Sequence, residues 1–246
     1  MPPGVSARLR IVRRVAAMLA ALLLALVGHG LWRAVRARSP WPRWLLGRIA
    51  RIAGARVRVI GSPRTRDALM LANHQSWLDI LAIAGASGSA FVAKGELASV
   101  PLVGWLCTLN HTVFVLRENR LGVAEQVARL RDALATDHPV TVFPEGTTSD
   151  GTTLLPFKAA LLAALDPPPP GLIVQPVQLD YGAAARPLLW VGDEPGLANV
   201  RRVLAHPGSI DLCIRFLDPF DPAGMHRKAI AAEAHRRIAD AMARVQ

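Results

Sequence analysis

The chain has 246 residues, room for one full-sized domain or two small ones. A hydrophobic content of 52% excludes wholesale disorder, and two cysteines, Cys107 and Cys213, are too few for a disulfide scaffold. The net charge of +11 is uneven: the first 66 residues hold fourteen arginines and no acid, leaving fifteen basic against eighteen acidic residues beyond. Such a basic segment suits nucleic acid or an anionic membrane, but its arginines flank apolar sequence and no zinc-finger or RNA-binding motif accompanies them. The membrane is the better fit.

Arg8, Arg10, Arg13 and Arg14 lead into the uncharged run Val15–Val27. Gly28, His29 and Gly30 interrupt it before Leu31 and Trp32, so the run is shorter than the roughly 20 residues of a clean membrane span. A cleaved signal segment is a competitor, yet no convincing cleavage pattern follows. Trp32, Trp41 and Trp44 interleave with Arg33, Arg36, Arg38 and Arg43, a mixture suited to the lipid headgroup layer. Pro40-Trp-Pro42 then opens an amphipathic segment, Trp44–Ala53. A helical pair covering a soluble core is the plainer alternative. Residues 1–60 are read as a membrane-binding segment and 61–246 as the folded domain that follows it.

Beyond Pro63, Ala68–Ala72 reads as a buried strand, Trp77–Ala86 as a helix and Phe91–Ala93 as a strand. Gly95–Leu106 has turn and helix signals, Val113–Leu116 is a strand, Val123–Ala135 a helix and Val140–Phe143 a strand. Leu154–Leu165 is mostly helix-like until the four prolines 167–170 end it. Ile173–Gln178, Trp190–Val191 and Asp211–Phe216 read as strands and Arg227–Val245 as a closing helix. This alternation predicts an α/β fold, with helices flanking a central sheet.

Two constellations carry chemistry. In Asn73-His-Gln-Ser-Trp-Leu-Asp79 a histidine can take a proton near neutral pH while an aspartate orients its ring. Five positions turn about 140° around an ideal helix, so His74 belongs in the bend and Asp79 in the first turns that follow. A purely structural His–Asp pair uses the same residues. In Phe143-Pro-Glu-Gly-Thr-Thr-Ser-Asp-Gly151, followed by Leu155-Pro-Phe-Lys158, a strand breaks into small polar residues whose N–H groups suit phosphate or an oxyanion. It lacks the GxxxxGKS/T pattern of nucleotide loops.

Together they resemble the glycerolipid acyltransferase family, most closely the bacterial 1-acyl-sn-glycerol-3-phosphate acyltransferases. The family's HxxxxD motif corresponds to His74–Asp79 and its FPEGT/S motif to Phe143–Thr147. Val113-Phe-Val-Leu-Arg117 resembles the phosphate-contacting strand and arginine, and Ile173-Val-Gln-Pro176-Val a looser strand motif. The basic, apolar amino terminus is similar to the family's two-helix membrane-binding motif. The resemblance implies a single α/β acyltransferase domain with a mixed central sheet, preceded by membrane-binding helices.

It also implies catalytic roles for His74 and Asp79 and acceptor binding by Arg117, Glu145, Gly146 and Thr147. Lys94 is a further anion contact or a surface residue. The cosubstrate would be acyl-CoA or an acyl carrier protein thioester, with no cofactor and no metal. The acceptor would be 1-acyl-sn-glycerol 3-phosphate, acylated at its free sn-2 hydroxyl to phosphatidic acid. The second block departs from the usual glycine- and aspartate-containing form, and FPEGTTSDG also resembles relatives that acylate lyso-ornithine lipid. A nonenzymatic lipid-binding module is the third reading. The expected location is the bacterial inner membrane, catalytic domain on the cytoplasmic side, with no nucleic-acid partner.

Overall fold

The computed structural model describes residues 4–35, 39–94, 112–115 and 122–244. The expected helix signals in 95–106, Cys107 and Arg117 lie outside them. Seven strands are described: β1 (Ala55–Ile60), β2 (Ala68–Ala72), β3 (Ala90–Lys94), β4 (Val113–Val115), β5 (Val140–Val142), β6 (Ile173–Asp180) and β7 (Ile210–Phe216). They form one mixed sheet in the order β1-β7-β6-β2-β5-β3-β4. Strands β6, β2, β5, β3 and β4 run parallel, whereas β7 is antiparallel to β6 and carries β1 parallel to itself.

Central strand β2 is buried at all five positions, and its side chains alternate between two cores. Met70 and Ala72 join Leu46, Ala53, Ile83, Val203 and Leu212 on one face. Leu69 and Leu71 join Leu130, Leu134, Leu162, Ile230 and Ala234 on the other. The first face is covered by α2 (Trp41–Ala53), α3 (Trp77–Ser87) and the end of α5 (Gly196–Ala205). The second is covered by α4 (Gly122–Leu134), α6 (Arg227–Ala243) and the short 3-10 turn Leu161–Leu165. The predicted α/β architecture is therefore present, with helices on both sides of the sheet.

Helix α1 (Val5–Trp32) is continuous through the glycines that break its sequence pattern. Its 28 residues span about 42 Å. Gly28 has a packing reason: a Cβ there would come within 2.1 Å of the Trp41 ring. Ala21, Ala25 and Leu45 form the seam of an α1–α2 hairpin, while Leu9, Leu19, Leu23, Leu24, Val27 and Leu31 are exposed. By length and hydropathy α1 is the one described helix able to cross a membrane.

This hairpin is joined to the rest of the fold by close backbone contact and arginine caps. Gly47 of α2 meets Gly85 of α3 so closely that a Cβ on Gly85 would sit 2.5 Å from the Gly47 Cα. Arg43 donates to the Gly85 and Ala86 carbonyls at the α3 end, and Arg14 to the Val203 and Leu204 carbonyls near the α5 end. Helix C-terminal carbonyls present partial negative charge, which these cations neutralise. Arg14 and Arg43 are thus engaged with protein, not held wholly for lipid.

Two expected elements differ. Residues 154–160 are not helical, because Leu155 N–H donates to the Glu145 carboxylate and Lys158 N–H to the Pro144 carbonyl. Trp190 is not in a strand; its N–H donates to the Gln75 carbonyl and its indole to the Glu194 carbonyl. Strand β1 and helix α5 are additions to the sequence reading.

Candidate active site

Three neighbouring parallel strands deliver the site. In register, Leu71 of β2 faces Val142 of β5, and Ala72 faces Val177 of β6. Their carboxyl ends therefore release the His74 bend, the Phe143–Glu145 turn and Tyr181 at one sheet edge, where α/β folds commonly bind ligands. Asn73 fixes the exit of β2: its amide donates to the Leu179 carbonyl and accepts the Leu179 N–H.

His74 lies in the bend and Asp79 in the first turn of α3, whose N-terminus is closed by a Ser76/Asp79 capping box. The His74 Nδ1–H donates to Asp79 Oδ2 at 2.8 Å. That oxygen also accepts the Gln75 and Ser76 N–H groups at 2.7 and 2.9 Å. Asp79 Oδ1 accepts the Tyr181 hydroxyl at 2.5 Å. Asp79 is fully buried, but each of the four groups hydrogen-bonded to its carboxylate is a donor, the arrangement that makes a buried charge tolerable. With Nδ1–H committed, the opposite ring nitrogen Nε2 is the acceptor. The His74 side chain is 16% exposed and stacks on Phe143 at 4.0 Å between centroids. One edge of the ring is fixed and its body is packed.

Glu145 binds the two motifs together. One carboxylate oxygen accepts the His74 N–H at 2.8 Å and the other accepts the Leu155 N–H at 3.2 Å. Burial pushes its pKa up from 4.5 to about 7, against the lowering effect of those two bonds and with a smaller upward push from the Asp79 charge. Ser149 N–H donates to the His74 carbonyl at 2.8 Å, so the polar loop after Gly146 lies along the histidine bend.

Gly146 has φ +74°, the left-handed region that glycine adopts without strain, and the Lys158 side chain lies over it. A Cβ on Gly146 would stand 2.9 Å from Lys158 Nζ. Thr147 is exposed on the same turn. Lys94 ends β3. Its side chain, and all of Arg117, lie outside the described residues, so the structure brings together His74, Asp79, Glu145 and Gly146 of the expected set. Among the described residues no cluster of three or more His, Cys, Asp or Glu is placed to hold a metal ion.

Sequence reasoning passes over Tyr181, Phe143 as a ring support and Lys158 as the cover of the glycine turn. Tyr181 carries one faint signal. It is the chain's single tyrosine and follows a buried strand.

Comparison with known proteins places the chain among acyltransferases. The acyltransferase family model matches residues 56–179. The lyso-ornithine lipid O-acyltransferase of Rhodobacter capsulatus is 32% identical, over 98% of this chain and 93% of its own length. The 1-acyl-sn-glycerol-3-phosphate acyltransferase of Neisseria gonorrhoeae is 41% identical, over 40% of this chain and 39% of its own. The crystal structure of the 1-acyl-sn-glycerophosphate acyltransferase PlsC from Thermotoga maritima superposes with a TM-score of 0.65 at 25% identity. That likeness covers 96% of this chain and 97% of the other.

Proposed function

Because the chain belongs to the acyltransferase family, we propose that it transfers a fatty acyl group from a thioester to the hydroxyl of lyso-ornithine lipid. The observation that carries acyl transfer is the His74–Asp79 pair, with Nδ1–H held and Nε2 left to accept a proton. The acceptor rests on extent of likeness: similarity to a lyso-ornithine lipid enzyme runs almost end to end. Acylation of 1-acyl-sn-glycerol 3-phosphate is the second reading, favoured by the near-complete structural match to the Thermotoga enzyme.

In this mechanism Nε2 of His74 takes the proton of the acceptor hydroxyl as its oxygen attacks the thioester carbonyl carbon. The imidazolium so formed is stabilised by Asp79, which already faces Nδ1. The carbon–sulfur bond then breaks, the thiolate takes the proton from His74, and an ester and a free thiol leave. No covalent bond to the protein is needed. Glu145 acts as a brace, because its two oxygens are engaged by backbone N–H groups. Arg117 and Lys94 remain proposed contacts for an anionic acceptor group or the acyl donor, which is acyl-CoA or acyl carrier protein.

Residues 1–60 are proposed to attach the enzyme to the cytoplasmic face of a bacterial inner membrane. The row of exposed leucines and valines on α1 supports this, since soluble surfaces seldom carry so long an apolar face. A competition assay offering both lyso-lipids with one acyl donor tests the acceptor. Preferential acylation of lyso-ornithine lipid is expected. Preference for 1-acyl-sn-glycerol 3-phosphate would replace the first reading with the second.

A further inference from the structure

A cleft of about 240 Å³ adjoins the histidine bend, lined by Gln75, Tyr181, Asp150, Gly151, Asp180 and Arg186 among others. Two of its lining residues adjoin the site already described. Gln75 follows His74 in the chain, and Tyr181 donates to the carboxylate that holds the His74 ring. Its volume lies below the roughly 300–1,000 Å³ of pockets that enclose whole drug-sized ligands, so it suits a headgroup better than a lipid.

The loop 149–151 forms one wall. Ser149 N–H donates to the His74 carbonyl, and Gly151, at φ +74°, lies so close to Gln75 that a Cβ would come within 2.6 Å of the Gln75 Oε1. Asp150 is therefore carried to the cleft by the same segment that follows the Phe143–Gly146 turn.

The charged groups divide into committed and uncommitted ones. Asp180 accepts the Gly182 N–H and lies 3.4 Å from Arg215, which also donates to Gln178. Asp150 uses only Oδ1, which accepts the Thr152 N–H and hydroxyl at 2.9 and 2.6 Å. Those bonds hold its carboxyl below the ordinary range, so it is anionic at neutral pH. Arg186 is exposed and no side-chain hydrogen bond engages its guanidinium among the described residues, though its charge already helps to hold the Asp150 carboxyl down. The cleft thus offers one carboxylate oxygen and one guanidinium free of hydrogen bonds, at a wall that Gln75 shares with the histidine bend.

We infer that this cleft is the acceptor headgroup site and takes a zwitterionic amino-acid headgroup, Arg186 binding its carboxylate and Asp150 its ammonium. The inference rests on the lyso-ornithine lipid reading and assigns the residues that would carry its selectivity. Ornithine linked through its α-amide keeps a free carboxylate and a terminal ammonium, one of each charge. The acylated hydroxyl is only a short amide linkage from that carboxylate. A guanidinium fork matches a carboxylate in two parallel bonds, whereas a phosphate dianion would meet repulsion from Asp150.

The test pairs changes in protein and acceptor, using the full-length enzyme in detergent-mixed micelles with one acyl-CoA. The acceptors are lyso-ornithine lipid and an analogue whose headgroup is a diamine lacking the carboxylate. Wild-type enzyme should show a KM about ten- to a hundredfold higher for the analogue, the size of one charge-assisted contact. Arg186→Gln should raise the KM for lyso-ornithine lipid by a similar factor and leave that for the analogue nearly unchanged. Asp150→Asn should do the same toward an analogue with a hydroxyl replacing the terminal ammonium. Thermal melts check that each exposed substitution leaves the fold intact. Wild-type turnover of lyso-ornithine lipid with no such pairing in either variant would overturn the headgroup assignment alone. Wild-type activity confined to 1-acyl-sn-glycerol 3-phosphate would remove the acceptor reading and the headgroup assignment with it.

Discussion

The hydroxyl of Tyr181 donates to Oδ1 of Asp79 at 2.5 Å, across 102 residues of chain, while Oδ2 of the same carboxylate holds His74. One buried carboxylate therefore receives the end of β6 on one oxygen and the histidine bend on the other. Tyr181→Phe deletes this donor without changing the ring volume, leaving a buried oxygen short of a partner. The expected loss of stability is about 1–3 kcal/mol. If the imidazolium-forming step loses 1.4 kcal/mol, kcat falls about tenfold. Thermal melts and initial rates measure both; unchanged values of each would contradict the assigned support role.

Glu145 makes stability depend on pH. Its folded-state pKa is raised to about 7 from 4.5, chiefly by burial, so between those values the native state keeps a proton that the unfolded chain has released. Its contribution is full below about 4.5 and is lost as pH rises through about 7. Denaturant titrations of Glu145→Gln across pH 4.5–7.5 should show a flatter decline than wild type. An identical slope would show that Glu145 is not the group responsible.

The amino-terminal hairpin is part of the folded core. Leu46 and Ala53 of α2 pack with Met70 and Ile83, and β1 supplies an edge strand against β7. Gly85→Leu would force α2 and α3 apart at a backbone contact, with an expected cost of at least 1–3 kcal/mol, the usual range for overpacking. Deleting residues 1–60 should yield aggregated or unfolded chain, not a soluble enzyme. Circular dichroism and gel filtration of both variants decide this. A monomeric truncated domain with the full-length melting temperature would show that the hairpin is only an anchor.

How much of this is legible in the sequence depends on distance along the chain. His74, Ser76 and Asp79 lie within one bend and one helix turn, so residue type and spacing indicate their arrangement. The strand that runs up to Phe143 is equally local. The bond from His74 N–H to Glu145 requires β2 and β5 to be neighbours, which no periodicity of either strand expresses. Tyr181 is hidden for the same reason. Strand β1 is obscured differently: Arg56 and Arg58 alternate with Val57 and Val59 as strand residues do, but within a segment whose basic residues read as membrane-facing. Likewise Gly28 and Gly30 look like helix breaks in sequence, although packing against Trp41 gives Gly28 a role inside α1.

The most direct measurement is acyl transfer by His74→Ala in the full-length protein, with lyso-ornithine lipid and acyl-CoA or acyl carrier protein thioester. Removing the ring takes one donor from Asp79 Oδ2, which keeps the Gln75 and Ser76 N–H groups, so the variant should stay folded with a modestly lower melting temperature. General-base catalysis contributes about 10²–10⁴-fold, and turnover should fall by that factor while membrane binding is retained. A folded His74→Ala enzyme that acylates either lyso-lipid at the wild-type rate would contradict the account at its centre.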